Sequence, residues 1–285
     1  MAILTNVNTV KQEPLNIKVE LDALRKMYTK DIAEMYNTFN ALILGFQGSG
    51  KTHMLKTARK PVLVHSFDPG GTKILREEID NGSIIPMWEL EREDMNSPTA
   101  YRTWEDEFFR LRKQGMFAHV GTYCIDSFTT WFEALCNQIV KRKSSTTKSA
   151  AEYAGALGRE TGLMELKDWQ VAGNIVRDMI KLCTALPCDF ILTGHIMLTK
   201  EEVSGKMIAF FNSIPSLRIN IPILFDEIYI LQAEEVNKEI RRQVLTAPDG
   251  KYIAKTRIGS GVFETREEPD IKKLLAKAGL PTDDK

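Results

Sequence analysis

Between Gly45 and Thr52 the chain reads G-F-Q-G-S-G-K-T, and these residue types at this spacing suit one task, the holding of a polyphosphate. Gly45, Gly48 and Gly50 let the backbone turn tightly enough for successive N–H groups to converge on phosphate oxygens, where a side chain would intrude. Phe46, Gln47 and Ser49 fill the loop between them, and His53 comes directly after it. Lys51 is placed to reach the β- and γ-phosphates, and Thr52 to put its hydroxyl on Mg²⁺. A helix opening at Lys51 adds its positive N-terminal dipole. The implied ligands are ATP, or another nucleoside triphosphate, and Mg²⁺.

Further along, Val120 to Ile125 form an apolar run that closes on Asp126. This is the Walker B form, a carboxylate able to hold Mg²⁺ opposite Thr52. Asp68 opens the stretch D-P-G-G after another apolar run. Two compatible readings stand there: a carboxylate at a ligand-binding sheet edge, and a Pro-Gly turn whose Asp caps a helix from Thr72. His195 ends D-F-I-L-T-G-H. It is either an imidazole that meets the γ-phosphate and reports its loss or a satisfied structural histidine.

These residues need strands to deliver them to one edge and helices to cover the faces. Leu42 to Leu44 read as a buried parallel strand, and Thr52 to Ala58 as the start of a helix. Residues 61–67 and 120–126, and then 189–195, read as further buried strands. Trp104, Phe108 and Leu111 mark an amphipathic helix ending at Gly115, and Leu166 to Cys183 line another that ends before Pro187. Residues 196–221 read as a hairpin or loop over the sheet edge. Phe225 to Leu231, Arg242 to Thr246 and Tyr252 to Arg257 read as late strands, the first two antiparallel. The expected fold class is therefore α/β, a mostly parallel sheet flanked by helices with late antiparallel strands. The expected divisions are an N-terminal arm and amphipathic helix at 1–37, a core at 38–268, and a short helix with an acidic tail at 269–285.

The apolar face of the N-terminal helix (Leu21, Leu24, Met27 or Tyr28, Ile32, Met35) either packs on the core's flank or docks on a neighbouring subunit. The basic stretch 141–149 either tracks a phosphate backbone or is a solvated loop. Lys plus Arg equals Asp plus Glu at 38 each, so no global basic field exists and any nucleic-acid contact must be local. The chain has 43% hydrophobic residues, enough for a sizeable core. No apolar run approaches the ~20 residues that span a bilayer, and a cytoplasmic protein, in the host cytoplasm if viral, is expected without membrane contact. The four cysteines lack C-x2-C spacing and read as reduced core residues.

The order of these motifs, Walker A, D-P-G-G, I-D-S, T-G-H, F-D-E-I and finally A-K-T-R, resembles the phage RecA-like ATPases over residues 38 to 278, and among them the single-domain group associated with single-strand annealing and recombination. The resemblance implies a RecA core in which one strand separates the Walker A and Walker B strands. It implies a homo-oligomer with ATP at subunit interfaces, binding single-stranded DNA near 141–160 and 196–218, and a single-strand DNA-binding protein as a partner. It also implies that Lys255 and Arg257 reach the γ-phosphate of an adjacent subunit, against the plainer view of a basic strand end at the surface. RecA-like enzymes place a water-polarising glutamate near the end of the second strand, where this chain has Asp68, one methylene shorter. That departure leaves a nucleotide-gated scaffold with little turnover as an alternative. A GTPase-like switch is another, from Asp68-x-x-Gly71 and the faint guanine-reading echo of Thr199-Lys200-Glu201-Glu202. A nucleotide kinase is disfavoured, since the core is succeeded by no arginine-rich lid.

Overall fold

A computed structural model describes residues 17–29, 37–95, 97–143, 163–200, 205–259 and 261–285. The chain divides into two units, 1–37 and 38–285. In the first, helix α1 (Ile17–Tyr28) buries none of its residues, and Leu21, Leu24, Met27 and Tyr28 are exposed. The expected arm at 1–16, together with Ile32 and Met35, lies outside the described residues, as do residues 144–149 of the basic stretch and Glu201 and Glu202.

In the second unit, β1 (Asn40–Gly45) is buried along its whole length. Its apolar residues face both ways, as a strand covered on both sides requires. Leu42 and Leu44 enter one core and Ala41 and Ile43 the other, the two-residue alternation of a strand. The other strands are β2 (Val62–Ser66), β3 (Ile84–Met87), β4 (Thr122–Asp126), β5 (Asp189–Lys200), β6 (Met207–Phe211), β7 (Glu227–Val236), β8 (Glu239–Leu245) and β9 (Arg266–Glu267). They form one sheet in the order β3-β2-β4-β5-β1-β7-β8-β9, with β6 paired to β5. Strand β5 thus separates β1 from β4, the expected RecA-like spacing. From β3 to β7 every pairing is parallel, and β7–β8, β8–β9 and β5–β6 are antiparallel.

As expected, the strand after Phe225 pairs antiparallel with β8; its other side pairs in parallel with β1, which buries its apolar run Ile228 to Leu231 within the sheet. One expectation is corrected here. Residues 252–257 form no strand, only single bridges, of Tyr252 to Ala209 and of Lys255 to Ile228.

The helix after the P-loop, α2 (Lys51–Met54), is shorter than expected and passes into a 3-10 turn at Leu55–Thr57. The next two residues cause the early stop. Ala58 is extended, and the buried Arg59 donates from Nε to Asp189 Oδ2 at 2.6 Å, while Asp189 Oδ1 accepts the Phe39 N–H at 2.9 Å. This clamp pins the start of β5 to the residue before β1 and draws the chain straight back toward β2. At Gly121 a Cβ would stand 2.5 Å from the Arg59 carbonyl oxygen, so only glycine fits beside the clamp.

Short helix α3 (Arg76–Asp80) precedes β3. One face of the sheet is covered by α4 (Ala100–Lys113), α5 (Phe128–Lys143) and α6 (Leu166–Thr184), with α7 (Pro215–Asn220) beside α6. The other face receives α2 and the C-terminal α8 (Ile271–Lys277), whose Ile271, Leu274 and Leu275 are buried with Met54 and Leu55. The first core is aromatic: Trp104 packs edge-on against Trp131 at 5.1 Å, and Tyr123 lies between Phe117 and Phe190. At its centre the Tyr123 hydroxyl accepts the Trp104 indole N–H at 3.0 Å and lies 2.9 Å from His65 Nδ1. Indole can only donate, so the phenolic oxygen is its acceptor, and the buried His65 shares one further hydrogen bond with the same hydroxyl. All four cysteines are free, and burial pushes the Cys136 and Cys188 thiols up to about 12.

Burial lowers the His65 pKa to about 4, against a weaker upward pull from Glu107. In the unfolded chain it titrates near 6.5, so only the unfolded state takes up this proton as the pH falls from 6.5 towards 4. Stability is therefore lost across that window, by on the order of 3 kcal/mol from this group. Urea unfolding of wild type and His65→Gln between pH 7 and 4 should show a shallower acid-side decline in the variant. Parallel declines would refute the assignment.

Candidate functional site

Five of the six parallel strands, β2, β4, β5, β1 and β7, reach one edge of the sheet, where β5 and β7 run on past it, and the sequence places polar residues at or just past that level on β2, β4, β5 and the loop after β1. Gly45 ends β1 and leads into the loop. Its neighbours in register are His195 on β5 and Leu231 on β7, and a Cβ on Gly45 would stand 2.7 Å from the Leu231 carbonyl oxygen. Glycine is required by that approach. Gly48 and Gly50 hold φ of 77° and 102°, left-handed values that other residues rarely adopt. Among the described residues nothing accepts a hydrogen bond from the N–H groups of Gly48, Gly50, Lys51 or Thr52, so these donors form an open nest at the start of α2.

Lys51 is buried, and its Nζ donates to the carbonyl oxygens of Gly45 and Phe46 at 3.2 and 3.0 Å. Burial lowers its pKa, with Asp126 and Asp68 pulling the other way. Thr52 Oγ1 donates to Asp126 Oδ2 at 2.7 Å, and Thr193 Oγ1 donates to Asp126 Oδ1. Buried this deeply and facing Asp68, the Asp126 carboxyl is pushed up to about 6, although both hydroxyls and Lys51 oppose the rise. A hydroxyl and a carboxylate side by side suit Mg²⁺, which takes one or two protein oxygens and fills its shell with water and phosphate. Thr52 and Asp126 would hold it. Among the described residues no three His, Cys, Asp or Glu side chains gather into a protein-only metal cage.

Asp68 lies across the groove. Its Oδ1 accepts from Ser127 Oγ at 2.7 Å and from Thr130 Oγ1 at 2.6 Å. The helix-cap reading fails, since no side-chain cap serves the 3-10 turn at Gly71–Leu75. The loop is instead pinned from outside by Glu91, which accepts from Ser66 Oγ at 2.7 Å and from the N–H groups of Gly70 and Thr72 at 3.0 and 2.9 Å. His195 has Nδ1 3.2 Å from Thr129 Oγ1. Burial and then the Lys51 charge lower its pKa, with Asp68 opposing, so a neutral imidazole faces the groove.

The resulting cavity holds about 480 Å³ and is lined by Gln47, Gly48, Gly50 to His53, Asp68, Ile74, His195 and Arg242. Phe46 and Ser49 line a smaller cavity on the other side of the loop. Lys255 and Arg257 stand elsewhere. Lys255 bridges to Ile228 near the start of β7, three residues before Leu231, which puts it about 10 Å down the sheet from Gly45. Its Nζ donates to the carbonyls of Phe225 and Pro222, and Arg257 pairs with Asp226 at 2.9 Å.

A family model described as an AAA domain, AAA_24, matches residues 38–258. The chain belongs to this AAA domain family. It is accordingly a P-loop nucleotide-binding domain, with Gly45 to Thr52 as the loop. No curated protein sequence matches it. Among solved structures, a KaiC-like protein from the hyperthermophilic archaeon Pyrococcus horikoshii OT3 is similar over 77% of this chain and 82% of its own, at 13% identity and a TM-score of 0.40. That likeness is too distant to carry function. No described helix is long and apolar enough to cross a membrane.

Glu91, Thr193, Thr130 and Arg242 escape a reading of the sequence. Thr193 sits inside the T-G-H stretch and could have been found there; Glu91 lies 23 positions after Asp68 in a polar segment with no motif. Glu91→Ala would leave two loop N–H groups and Ser66 without their acceptor, at about 1–3 kcal/mol each if unsatisfied. Asp68 would then lose its fixed position. Titration calorimetry should find Mg²⁺-free nucleotide affinity unchanged in this variant, while phosphate release falls by about tenfold to a hundredfold. Unchanged turnover would show that the loop holds without Glu91.

Proposed function

We propose that the chain binds Mg²⁺-ATP, hydrolyses it slowly, and acts as a homo-oligomer on single-stranded DNA in recombination or single-strand annealing of the phage type. The observation that carries the nucleotide part is the 2.7 Å contact of Thr52 with Asp126 beneath the open loop donors. It supports a magnesium ion on the terminal phosphates, with Lys51 neutralising them. Slow hydrolysis is expected from Asp68: the carboxylate nearest the expected water is short, and one of its oxygens already accepts two hydroxyl hydrogen bonds.

The DNA and oligomer parts rest on the motif order together with the placement of Lys255 and Arg257. Too far down the sheet for their own P-loop, these cations can serve a nucleotide only on an adjacent copy, and Arg257 would have to exchange Asp226 for phosphate. The β5–β6 hairpin, rising from the same edge as the loop, is suited to pass a nucleotide signal to DNA. A nucleotide-gated assembly with little turnover is the second reading, favoured by the same short carboxylate.

Fluorescence anisotropy of a labelled single strand should rise with protein, and ATP should shift the midpoint for wild type but not for Lys51→Ala. Binding insensitive to ATP at low salt removes the DNA part. Phosphate release near background despite tight ATP binding selects the second reading.

A further inference from the structure

The P-loop groove holds a second cation that the motif does not account for. Arg242 lies on β8 opposite Ala233 of β7, two residues beyond the level at which Leu231 faces Gly45. It therefore stands at the height of the loop and not of the sheet. Its Cδ and Nε are 3.0 Å from where a Cβ on Gly50 would be, so the bare backbone at Gly50 makes room for its side chain. The Arg242 side chain forms no hydrogen bond or ion pair with any described residue, yet it lines the cavity with Lys51 and Thr52.

The groove has a direction. Asp126, Asp68 and His195 come from β4, β2 and β5, all on one side of β1, whereas Arg242 comes from β8 on the other side, beyond β7. Mg²⁺ bridges the β- and γ-phosphates, so Thr52 and Asp126 mark the terminal-phosphate end. The nucleoside belongs at the opposite end. A guanidinium is planar, permanently charged and weakly hydrated, and it stacks on aromatic faces as readily as it pairs with anions.

We infer that Arg242 is the wall of the nucleoside subsite, its guanidinium plane lying against the nucleobase of the nucleotide bound by the same chain. This rests on the proposed binding of Mg²⁺-ATP. It makes Arg242 a residue of affinity for the part that ATP and ADP share, and not a sensor of the γ-phosphate.

Equilibrium binding of ATP, ADP and inorganic tripolyphosphate to wild type, Arg242→Ala, Arg242→Lys and Lys51→Ala tests it. Arg242 is exposed, so its variants should fold. Arg242→Ala should weaken ATP and ADP by the same factor, about three- to thirtyfold, and leave tripolyphosphate unchanged. Arg242→Lys, which keeps the charge but not the plane, should not restore the loss. A loss confined to ATP, an equal loss for tripolyphosphate, or rescue by lysine would overturn the stacking role. If Lys51→Ala abolishes binding while Arg242→Ala binds as wild type does, the inference fails alone. If Lys51→Ala also binds normally, the nucleotide reading fails and the inference with it.

Discussion

A single buried carboxylate sets the geometry of this protein's working edge. Asp126 is almost wholly enclosed, and its two oxygens accept hydroxyl protons from Thr52, just past β1, and from Thr193, on β5. Hydrogen bonds to a charged group contribute roughly 1.5–3 kcal/mol each, but location matters more here than strength. Asp126 and Thr193 lie on the adjacent strands β4 and β5, and Thr52 on the helix reached through the loop that leaves the next strand, β1, so the contact exists only if the sheet has this order. Inserting β5 between the P-loop strand and the acidic strand spaces Asp126 from the loop, and Thr193 fills the gap so created.

The same carboxylate explains the electrostatic character of the groove. Asp68 and Asp126 repel one another, which is part of why the Asp126 carboxyl is held up near 6. Lys51 is the buried cation set against them, and desolvation weakens its own charged form. Two carboxylates and one reluctant ammonium favour a divalent cation between Thr52 and Asp126 when a polyphosphate brings its negative charge to Lys51. The loop bearing Asp68 would drift under that repulsion. Glu91 prevents it by binding the loop's own N–H groups, and Ser127 and Thr130 hold the carboxylate itself.

What was legible in the sequence was whatever depends on local spacing. The P-loop, the carboxylate ending β4 and the histidine of β5 announce themselves because each requires a fixed order of apolar run, turn and polar residue along one stretch of chain. Expectations failed where distant partners decide the outcome. The length of α2 is set by the Arg59–Asp189 clamp, a pair 130 positions apart. Residues 252–257, whose local pattern suggests a strand, make only single bridges to Ala209 and Ile228. Glu91 and Arg242 reach the site from segments whose composition reads as ordinary surface, and only the fold gives them their neighbours.

The distribution of cations over the sheet carries a last consequence. Lys51 and Arg242 crowd the edge where the parallel strands end, while Lys255 and Arg257 sit near the edge where β7 begins, so no single copy can bring all four to one phosphate chain. The two distant cations are not equally free to serve elsewhere. Lys255 is tethered by two backbone carbonyls, of Phe225 at 2.8 Å and of Pro222 at 3.2 Å. Arg257 and Asp226 form a half-exposed pair, and such pairs contribute only about 0–1 kcal/mol. Both cations are therefore anchored to the segment that leads into β7, and Arg257 is the more exposed of the two, held by one ion pair and by the Ile223 carbonyl, which accepts from its Nη2 at 2.9 Å.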